Sequence, residues 1–404
     1  MTTSRSGLGK IFTCTPVEFG GGEDFFARDS GLLSRGLRAC GVESRAVMPG
    51  VRQPGDLEEL IRTDAANLSS PDWWRSLEVD AVVLYAWGSP KYLGVARAIR
   101  DAGVRLVLNQ DNGGLISPFA GVGGWVWEQW LLQGQGRDVK SWLRWGLSLA
   151  KGLSLGPLLV DLPRARHLSQ GDVIACVSPR ATEHYRRMCR RYGGSALAAR
   201  VHLLPHAVEN RFVWHGEAKS RQVLAVGRWA DTNQKRPDLL MSAGERLLEM
   251  DDQVRLVIAG GSTPGLVSWH KGLTSQQRER VRLAGVLDRA ALAAEMCGSQ
   301  VFYSPSAFES FGIAAAEALC CGCSVVAQRS VSMSAFDWFV GEHSGRLAMT
   351  SSPQEHAEQL AAELCCWDHA QRDPGAISSV WSDRLHADRV AEQVLTLLEG
   401  AASF

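Results

Sequence analysis

Short apolar segments rich in β-branched residues alternate with longer helical patterns along most of this chain. We predict twelve strands from them, at Ile11–Thr15, Ser44–Met48, Ala81–Ala86, Arg105–Asn109, Val173–Val177, Val201–Leu204, Gln222–Gly227, Val254–Ala259, Arg282–Val286, Gln300–Tyr303, Ser324–Ala327 and Gly345–Ala348. Several are apolar at every position, which is expected when helices cover both faces of a sheet. Strands that alternate with helices favour parallel sheets joined by helical crossovers.

The predicted strands form two series, separated near the polar stretch Phe212–Arg221. A chain of 404 residues is also too long for a single core of ordinary size. We therefore predict an α/β protein with two doubly wound, Rossmann-like domains, at residues 1–212 and 213–374.

The composition is that of a soluble globular protein, with 45% apolar and 21% charged residues. Lys plus Arg equals Asp plus Glu at 43 each, so no overall field attracts nucleic acid and we expect no nucleic-acid partner. The start of the chain lacks the apolar core of a secretory signal, and no apolar run reaches the roughly 20 residues of a spanning helix. The ten cysteines have no zinc-ligand spacing, so we expect buried thiols in a cytoplasmic protein.

The stretch Ser304–Gly322 reads S-P-S-A-F-E-S-F-G-I-A-A-A-E-A-L-C-C-G and follows a predicted buried strand. Glu309 stands in a turn, Gly312 at the expected start of a helix, and Glu317 within that helix. Amides and the positive dipole at a helix start can hold a phosphate, and a carboxylate can accept hydrogen bonds from sugar hydroxyls. This pattern predicts a site for a phosphate that carries a sugar or nucleoside.

Two cations follow the first predicted strand of the second series, in V-G-R-W-A-D-T-N-Q-K-R-P. Arg228 lies just past the strand, and Lys235 enters the following helix, which has Pro237 in its first turn. A diphosphate suits such a pair, because arginine offers a fork of donors and lysine a point charge.

Polar groups also follow strands of the first series. F-G-G-G-E-D-F, with Gly21 and Gly22, allows a phosphate to approach the backbone or forms an ordinary tight turn. Asp111, in N-Q-D-N-G-G, faces a substrate or stabilises a turn. His206, at the end of another strand, is a functional or a structural histidine.

The segment 121–160 interrupts the α/β pattern and is rich in tryptophan. Over Val139–Leu153, one helical face carries apolar residues: Val139, Trp142, Leu143, Leu149, Ala150 and Leu153. Lys140, Arg144, Ser148 and Lys151 fall on another face. Two interpretations stay open. The helix packs on the domain with a solvated basic side, or its apolar face meets an anionic membrane surface, which would make the protein peripheral at the inner face of the membrane.

With these residues in view, the chain resembles retaining glycosyltransferases of the GT-B fold, most closely glycosyltransferase family 4. The resemblance rests on V-G-R followed by Lys235, and on P-S-x-x-E-S-F-G-I-x-x-x-E-A-L-x-C-G followed by V-V-A. The glycine loop near the N-terminus, V-S-P at 177–179 and L-P-H-A-V at 204–208 support it more weakly. It covers the second half well and the first half loosely.

The resemblance implies a GT-B fold with two domains that face a central cleft. Residues 1–212 would be the acceptor side, completed by the C-terminal helix at about 375–404, and residues 213–374 would bind the nucleotide sugar. The implied reaction is transfer of a sugar, with retention, from a UDP- or GDP-sugar to an acceptor hydroxyl. Its expected setting is glycan, glycolipid or surface polysaccharide biosynthesis, with no cofactor and no metal.

The resemblance also implies roles for individual residues. Arg228 and Lys235 are expected at the pyrophosphate of the donor, and the backbone of Phe311, Gly312 and Ile313 at its phosphate and sugar. Glu309 is expected at the hydroxyls of the transferred sugar and Glu317 at the ribose. Gly21 and Gly22 are expected to close over the donor. The catalytic candidates are Arg228, Lys235, Glu309 and Asp111, and the acceptor-side candidates are Glu23 and His206.

Two departures from the family fall on the acceptor side. Many members have Asn-Gly where this chain has His206-Ala207, and many have a histidine where it has Asp111. Three other functions stay open: a nucleotide-sugar epimerase, a phosphorylase on the same fold, and a donor-binding scaffold without activity.

Overall fold

The computed structural model describes residues 8–115, 117–118, 121–131 and 139–401. Two compact units make up the chain. Unit 1 comprises Met1–Glu209 and Leu385–Phe404, and unit 2 comprises Asn210–Arg384.

Unit 1 is built on a parallel seven-stranded sheet of order β3-β2-β1-β4-β5-β6-β7. Its strands are β1 (Ile11–Cys14), β2 (Ala46–Pro49), β3 (Leu60–Thr63), β4 (Ala81–Tyr85), β5 (Arg105–Gln110), β6 (Val173–Cys176) and β7 (Val201–Leu203). Alternate residues of a strand enter different cores: Phe12 and Val82 pack in one cluster, and Ile11 and Ala81 in another. Because both faces are covered, these strands read as continuous apolar runs.

Helices cover both faces of this sheet. They are α1 (Glu23–Phe26), α2 (Asp29–Ala39), α3 (Pro71–Ser76), α4 (Leu93–Asp101), α5 (Val122–Gln129), α6 (Val139–Ser154), α7 (Leu162–Leu168), α8 (Pro179–Ala199) and, from the end of the chain, α18 (Ala387–Ala401). Short 3₁₀ turns occur at Asn67–Ser69 and Pro90–Tyr92, and one π-helical turn at Pro157–Asp161 joins α6 to α7.

Unit 2 has a parallel six-stranded sheet of order β10-β9-β8-β11-β12-β13. Its strands are β8 (Ser220–Val226), β9 (Arg255–Ala259), β10 (Val281–Gly285), β11 (Ser299–Ser304), β12 (Ser324–Gln328) and β13 (Gly345–Ala348). Its helices are α9 (Thr232–Lys235), α10 (Pro237–Met250), α11 (Pro264–Gly272), α12 (Ser275–Arg280), α13 (Arg289–Gly298), α14 (Ile313–Cys320), α15 (Phe336–Phe339), α16 (Pro353–Asp368) and α17 (Pro374–Leu385).

All twelve predicted strands are present, with ends that differ by at most two residues. The strand that the sequence did not predict is β3, whose L-I-R-T sequence is short and half polar. It lies at the edge of its sheet, where a strand needs less apolar sequence than in the middle. Eight of the ten cysteines are buried, as expected.

The boundaries of the units differ slightly from the predicted ones. Phe212 belongs to unit 2, where the Arg289 guanidinium lies 4.5 Å from its ring. Helix α17 also stays with unit 2, because Trp381 packs on Phe339 and the Ser378 hydroxyl donates to the Cys320 carbonyl. The chain therefore enters unit 1 again at Leu385, about ten residues later than predicted.

Helix α6 exposes its apolar face. Val139, Leu143 and Leu153 of the predicted face are 74%, 60% and 55% exposed. Most of this face is therefore open to solvent, although the helix itself packs on α5 through its other side. Contact with a membrane stays a prediction. Residues 132–138 of the tryptophan-rich segment lie outside the described part of the chain, as do residues 1–7 of the N-terminal stretch. In the described part, no helix is both long and apolar enough to cross a membrane.

Candidate active site

The strand order of unit 2 reverses between β8 and β11, which are parallel neighbours. Open α/β sheets bind ligands outside the carboxyl ends of the strands at such a reversal. Arg228 follows β8 by two residues, and Glu309 follows β11 by five. The two segments that the sequence singled out therefore lie at the same place in the fold.

Polar side chains hold the Glu309 carboxylate in place. The Lys235 ammonium forms an ion pair with Oε1, and the Ser306 hydroxyl donates to the same oxygen at 3.0 Å. The Gln234 amide donates to Oε2 at 3.3 Å. Lys235 and Glu309 are only 17% and 13% exposed, so little water screens the pair.

Lys235 ends the short helix α9. The Asp231 side chain caps this helix by accepting from the backbone amide of Gln234 at 3.2 Å. The prediction that Lys235 shares a helix with Pro237 is wrong. Arg236 separates them in the left-handed conformation, with φ 49°, and Pro237 begins α10. A residue before proline is disfavoured in the α region, so the chain breaks there.

Arg228 is the more exposed of the two predicted cations, with 79% of its side chain accessible. Its guanidinium lies 3.5 Å from the Gln234 amide oxygen and 4.0 Å from the Asp231 carboxylate. The structure thus brings Arg228, Lys235 and Glu309 together through Gln234.

Gly312 begins α14 in the left-handed conformation, with φ 90° and ψ 62°. A Cβ atom there would lie 2.7 Å from the Phe336 ring, so the position requires glycine. Gly312 has no side chain to cap the helix, and its carbonyl accepts from the amides of Ala315 and Ala316 at 2.9 and 3.1 Å. The amides of Ile313 and Ala314 are the ones that a ligand could use. Phe311 is 1% exposed and packs edge-to-face on Phe339, with ring centroids 5.1 Å apart.

Glu317 lies on α14 and is 2% exposed. Its carboxylate forms an ion pair with Arg289 at 2.8 Å. A buried carboxylate needs such a partner to offset the loss of hydration. The predicted ribose contact of Glu317 stays a prediction.

In unit 1 the strand order reverses between β1 and β4, and the glycine loop follows β1. A Cβ atom at Gly21 would lie 2.4 Å from the Asp56 carboxylate and 2.1 Å from Leu60. Asp56 pairs with Arg62 at 2.9 Å, and their side chains are 1% and 4% exposed. Arg62 also donates to the Phe19 carbonyl at 2.7 Å, so the pair fixes the loop.

The Arg62 guanidinium and the backbone amides of Gln53 and Gly21 lower the pKa of Asp56 to about 2. Beyond the loop, Gly22 is the N-cap of α1 and Glu23 is its first residue. Glu23 is 73% exposed and pairs with Arg35 at 2.8 Å. The structure shows no contact that tests the predicted roles of Gly21, Gly22 and Glu23.

Asp111 and His206 lie close together in unit 1. The His206 Nε2 atom is 2.9 Å from an Asp111 oxygen, and its Nδ1 atom is 3.9 Å from Asp29. The Tyr85 ring stacks on His206 with centroids 6.3 Å apart. Burial pulls the pKa of His206 down, but the Asp111 carboxylate and its hydrogen bond outweigh burial and raise that pKa above its usual value.

Sequence reasoning missed the partners of the predicted residues. They are Gln234 and Ser306 beside Glu309, Arg289 beside Glu317, Asp29 beside His206, and the pair of Asp56 and Arg62 beside the glycine loop. Only Gln234 and Ser306 carried a signal, since each lies within three residues of a predicted site residue. In the part of the chain that the structure describes, no group of three or more His, Cys, Asp or Glu side chains could hold a metal ion.

Comparison with known families finds a match within unit 2. The sequence model of the family Glycosyl transferases group 1 matches residues 220–365. D-inositol 3-phosphate glycosyltransferase of Acidothermus cellulolyticus is 28% identical over 67% of this chain and 66% of its own length. The enzyme of the same name from Xylanimonas cellulosilytica is 30% identical over 45% of this chain and 48% of its own. The chain thus spans about half to two thirds of the length of these relatives.

Solved structures identify the fold. HepE of Anabaena in complex with UDP has a TM-score of 0.60, with 15% identity over 97% of this chain and 100% of its own. The lipopolysaccharide outer core galactosyltransferase WaaB has a TM-score of 0.62, with 13% identity over 98% and 99%. Sucrose-phosphate synthase of Thermosynechococcus elongatus has a TM-score of 0.61, with 15% identity over 98% and 99%.

The chain has the two-domain α/β GT-B fold. This confirms the predicted fold, and residues 220–365 of unit 2 match the group 1 glycosyltransferase family. Membership of family 4 and retention at the anomeric carbon stay predictions.

Replacing Asp56 with asparagine should destabilise unit 1 and release the glycine loop, because it leaves the buried Arg62 without its anion. Removing one partner of a buried pair costs about 3 kcal/mol, which lowers the melting temperature by roughly 6–12 °C in a domain of this size. The folded pKa of Asp56 lies below its unfolded value. The contribution of the pair is therefore complete above about pH 5 and is lost as the pH falls toward 2.

Thermal unfolding of the unchanged protein and of Asp56→Asn from pH 8 to pH 3 checks this. The difference between their melting temperatures should be constant above pH 5 and shrink below pH 4. Asp72→Asn is the matched control, since Asp72 pairs with Arg75 at the surface and is 90% exposed. Equal melting temperatures for Asp56→Asn and Asp72→Asn would contradict the role of the buried pair.

Proposed function

We propose that this chain is a retaining glycosyltransferase that moves a sugar from a UDP- or GDP-sugar to an acceptor hydroxyl. The observation that carries the proposal is the ion pair of Lys235 and Glu309 at the strand-order reversal of unit 2. This pair lies inside the region that matches the group 1 family. The similarity in fold to HepE, which was solved with UDP and with UDP-glucose, supports a nucleoside-diphosphate donor.

The cations would stabilise the diphosphate of the donor. The Lys235 ammonium has three donors, so it can keep Glu309 as a partner and still contact a phosphate oxygen. The exposed Arg228 guanidinium can add a forked pair of hydrogen bonds. Charge accumulates on the leaving diphosphate in the transition state, so these cations and the helix amides would lower the barrier without a metal or cofactor.

The start of α14 would complete the phosphate site. Gly312 precedes the helix in the left-handed conformation and does not cap it with a side chain, so the amides at the helix start would be available to a phosphate. We assign the backbone of Phe311, Gly312 and Ile313 to phosphate and sugar. Phe311 itself contributes packing, because its ring is buried against Phe339.

The two glutamates would bind the two sugars of the donor. Glu309 is fixed by Lys235 and Gln234 and would accept hydrogen bonds from the transferred sugar. Glu317 would bind the ribose hydroxyls while it keeps its ion pair with Arg289. Since Glu317 is 2% exposed, the ribose must replace part of the cover over this carboxylate.

The reaction breaks the bond between the anomeric carbon and the terminal phosphate oxygen, and forms a bond from that carbon to the acceptor oxygen. We propose the front-face route, in which the leaving phosphate takes the proton of the acceptor hydroxyl. We assign Asp111, held by His206, to orientation of that hydroxyl, and Glu23 to the acceptor side. The expected acceptors are those of glycan, glycolipid or surface polysaccharide biosynthesis.

Glu309→Gln and Lys235→Met should each lower kcat/KM for transfer at least a hundredfold, because each removes a charge from the donor site. The double variant Glu309→Gln/Lys235→Met should be as inactive as either single variant. Because it leaves neither partner of the pair as an unpaired buried charge, it separates loss of activity from loss of stability. Release of nucleoside diphosphate, measured with a panel of hydroxyl acceptors, checks activity, and thermal unfolding checks the fold.

Glu295→Gln is the matched control for this test. Like Glu309, Glu295 pairs with a cation, Arg282, and accepts from a glutamine amide, that of Gln222 at 2.7 Å. Glu295 lies on α13, and its two partners lie near the amino ends of β8 and β10, whereas the proposed donor site is at the carboxyl ends. The Glu295→Gln variant should therefore keep at least half of the activity. Full activity in both Glu309→Gln and Lys235→Met would refute the assignment.

The donor should be identified by ligand-induced stabilisation of the folded protein. A ligand at about 100 times its Kd adds about 2.7 kcal/mol, or roughly 5–10 °C in melting temperature. UDP or GDP should give this shift and ADP should not. The shift by the free diphosphate should persist in Glu309→Gln, which changes the sugar contact, and shrink in Lys235→Met, which removes a phosphate contact. Stabilisation by none of the three nucleotides would count against a nucleoside-diphosphate donor.

Retention should appear in the product as the same anomeric configuration that the donor had. Proton NMR of the newly formed linkage, recorded early in the reaction, measures it through the coupling of the anomeric proton. An inverted product would overturn the front-face route while leaving transfer itself intact. Conversion of the donor sugar with no acceptor present would instead indicate an epimerase.

A further inference from the structure

Helix α6 presents apolar side chains to solvent along its whole length. Val139, Leu143 and Leu147 follow one another at spacings of four residues, and Trp142 and Leu153 flank that row; they are 74%, 60%, 69%, 52% and 55% exposed. We call these five residues the α6 apolar face. Leu155, Leu158 and Leu159 continue the exposed apolar surface beyond the end of α6, at 48%, 64% and 56%.

The opposite side of α6 packs on the protein through one aromatic residue, Trp145, and otherwise through small and polar residues. The Ser148 hydroxyl donates to the Gln129 amide oxygen of α5 at 2.9 Å. A Cβ atom at Gly152 would lie 2.3 Å from the ring of Trp125, so the two helices touch there. A helix on a globular domain normally buries its apolar stripe, but three of the four leucines of α6 are exposed.

Buried contacts fix this orientation. Asp161, in the turn after α6, is fully buried and accepts from Ser117 at 2.7 Å and from Tyr192 at 2.9 Å. At the other end, Trp130 packs against Trp142 and Trp145, with ring centroids 4.8 and 5.3 Å away. The apolar face therefore cannot turn inward without breaking these contacts.

The charges of α6 indicate what covers this face. From Val139 to Val160 the sequence has three cations and no acidic residue. Lys140 and Arg144 each stand one position after a member of the apolar row, and Lys151 continues their edge one turn after Leu147. An apolar face with tryptophan beside a row of cations fits an anionic lipid surface, where rings and leucines enter the acyl boundary and cations meet headgroups. Protein interfaces, in contrast, are depleted in lysine.

We propose that α6 lies in the plane of an anionic membrane surface, with its apolar face among the acyl chains and its three cations among the headgroups. The helix does not cross the bilayer, in agreement with the absence of a spanning helix from the described residues. The proposal concerns a different surface from the proposed donor site. Its test needs neither donor nor acceptor, so the two can fail separately.

Sedimentation of the full chain with vesicles tests it. The protein should pellet with vesicles of phosphatidylcholine containing about a third phosphatidylglycerol, and much less with phosphatidylcholine alone. Replacing Lys140, Arg144 and Lys151 with glutamine should weaken binding to the anionic vesicles about a hundredfold, since each cation near such a surface is worth about fivefold. Binding should also weaken as salt rises from 50 to 500 mM.

Leu143→Asp/Leu147→Asp should reduce pelleting at least tenfold without lowering the melting temperature. Val286→Asp/Met349→Asp is the matched control, because these residues are 82% and 61% exposed in unit 2 and should bind like the unchanged protein. Pelleting that both double variants keep in full would overturn the proposal. So would a dimer in lipid-free solution that Leu143→Asp/Leu147→Asp converts to monomer, since a second copy would then cover the face.

Discussion

The ion pair of Lys235 and Glu309 depends on two parallel strands, β8 and β11, that are neighbours in the sheet. The two residues are 74 positions apart in the sequence, and only the reversal of strand order brings them together. A carboxylate that is 13% exposed costs free energy unless it is paired and hydrogen-bonded, and Lys235, Gln234 and Ser306 provide this. The contacts that offset the cost of burying the Glu309 carboxylate therefore also hold the proposed donor site in place.

The sequence was most informative where local pattern and burial agree. Most of the predicted strands have apolar residues on both faces, whereas two of the four residues of β3 are polar and it escaped prediction. Gly312 could be placed at a helix start because few other residues fit between a strand and a helix there. Its neighbour Phe336, which makes any side chain impossible at that position, is visible only in three dimensions.

Tertiary partners could not be predicted in the same way. No sequence pattern links His206 to Asp111 or Asp29, which are distant from it in the chain. The end of β5 and the start of α2 bring these two carboxylates to it. Arg289 likewise reaches Glu317 from another helix. The direction of α6 was also beyond the sequence, because its periodicity defines an apolar face and does not say whether that face points inward. Small residues on the opposite side, such as Ser148 and Gly152, settle the question through their contacts with α5.

The place of α6 in the chain connects the membrane proposal with the proposed function. The helix belongs to the crossover between β5 and β6, and Asp111 directly follows β5. The segment that would lie on lipid therefore leaves the sheet at the strand end that carries the proposed acceptor-side carboxylate. The chain as a whole has no net charge, so only a local cluster such as Lys140, Arg144 and Lys151 could select an anionic surface.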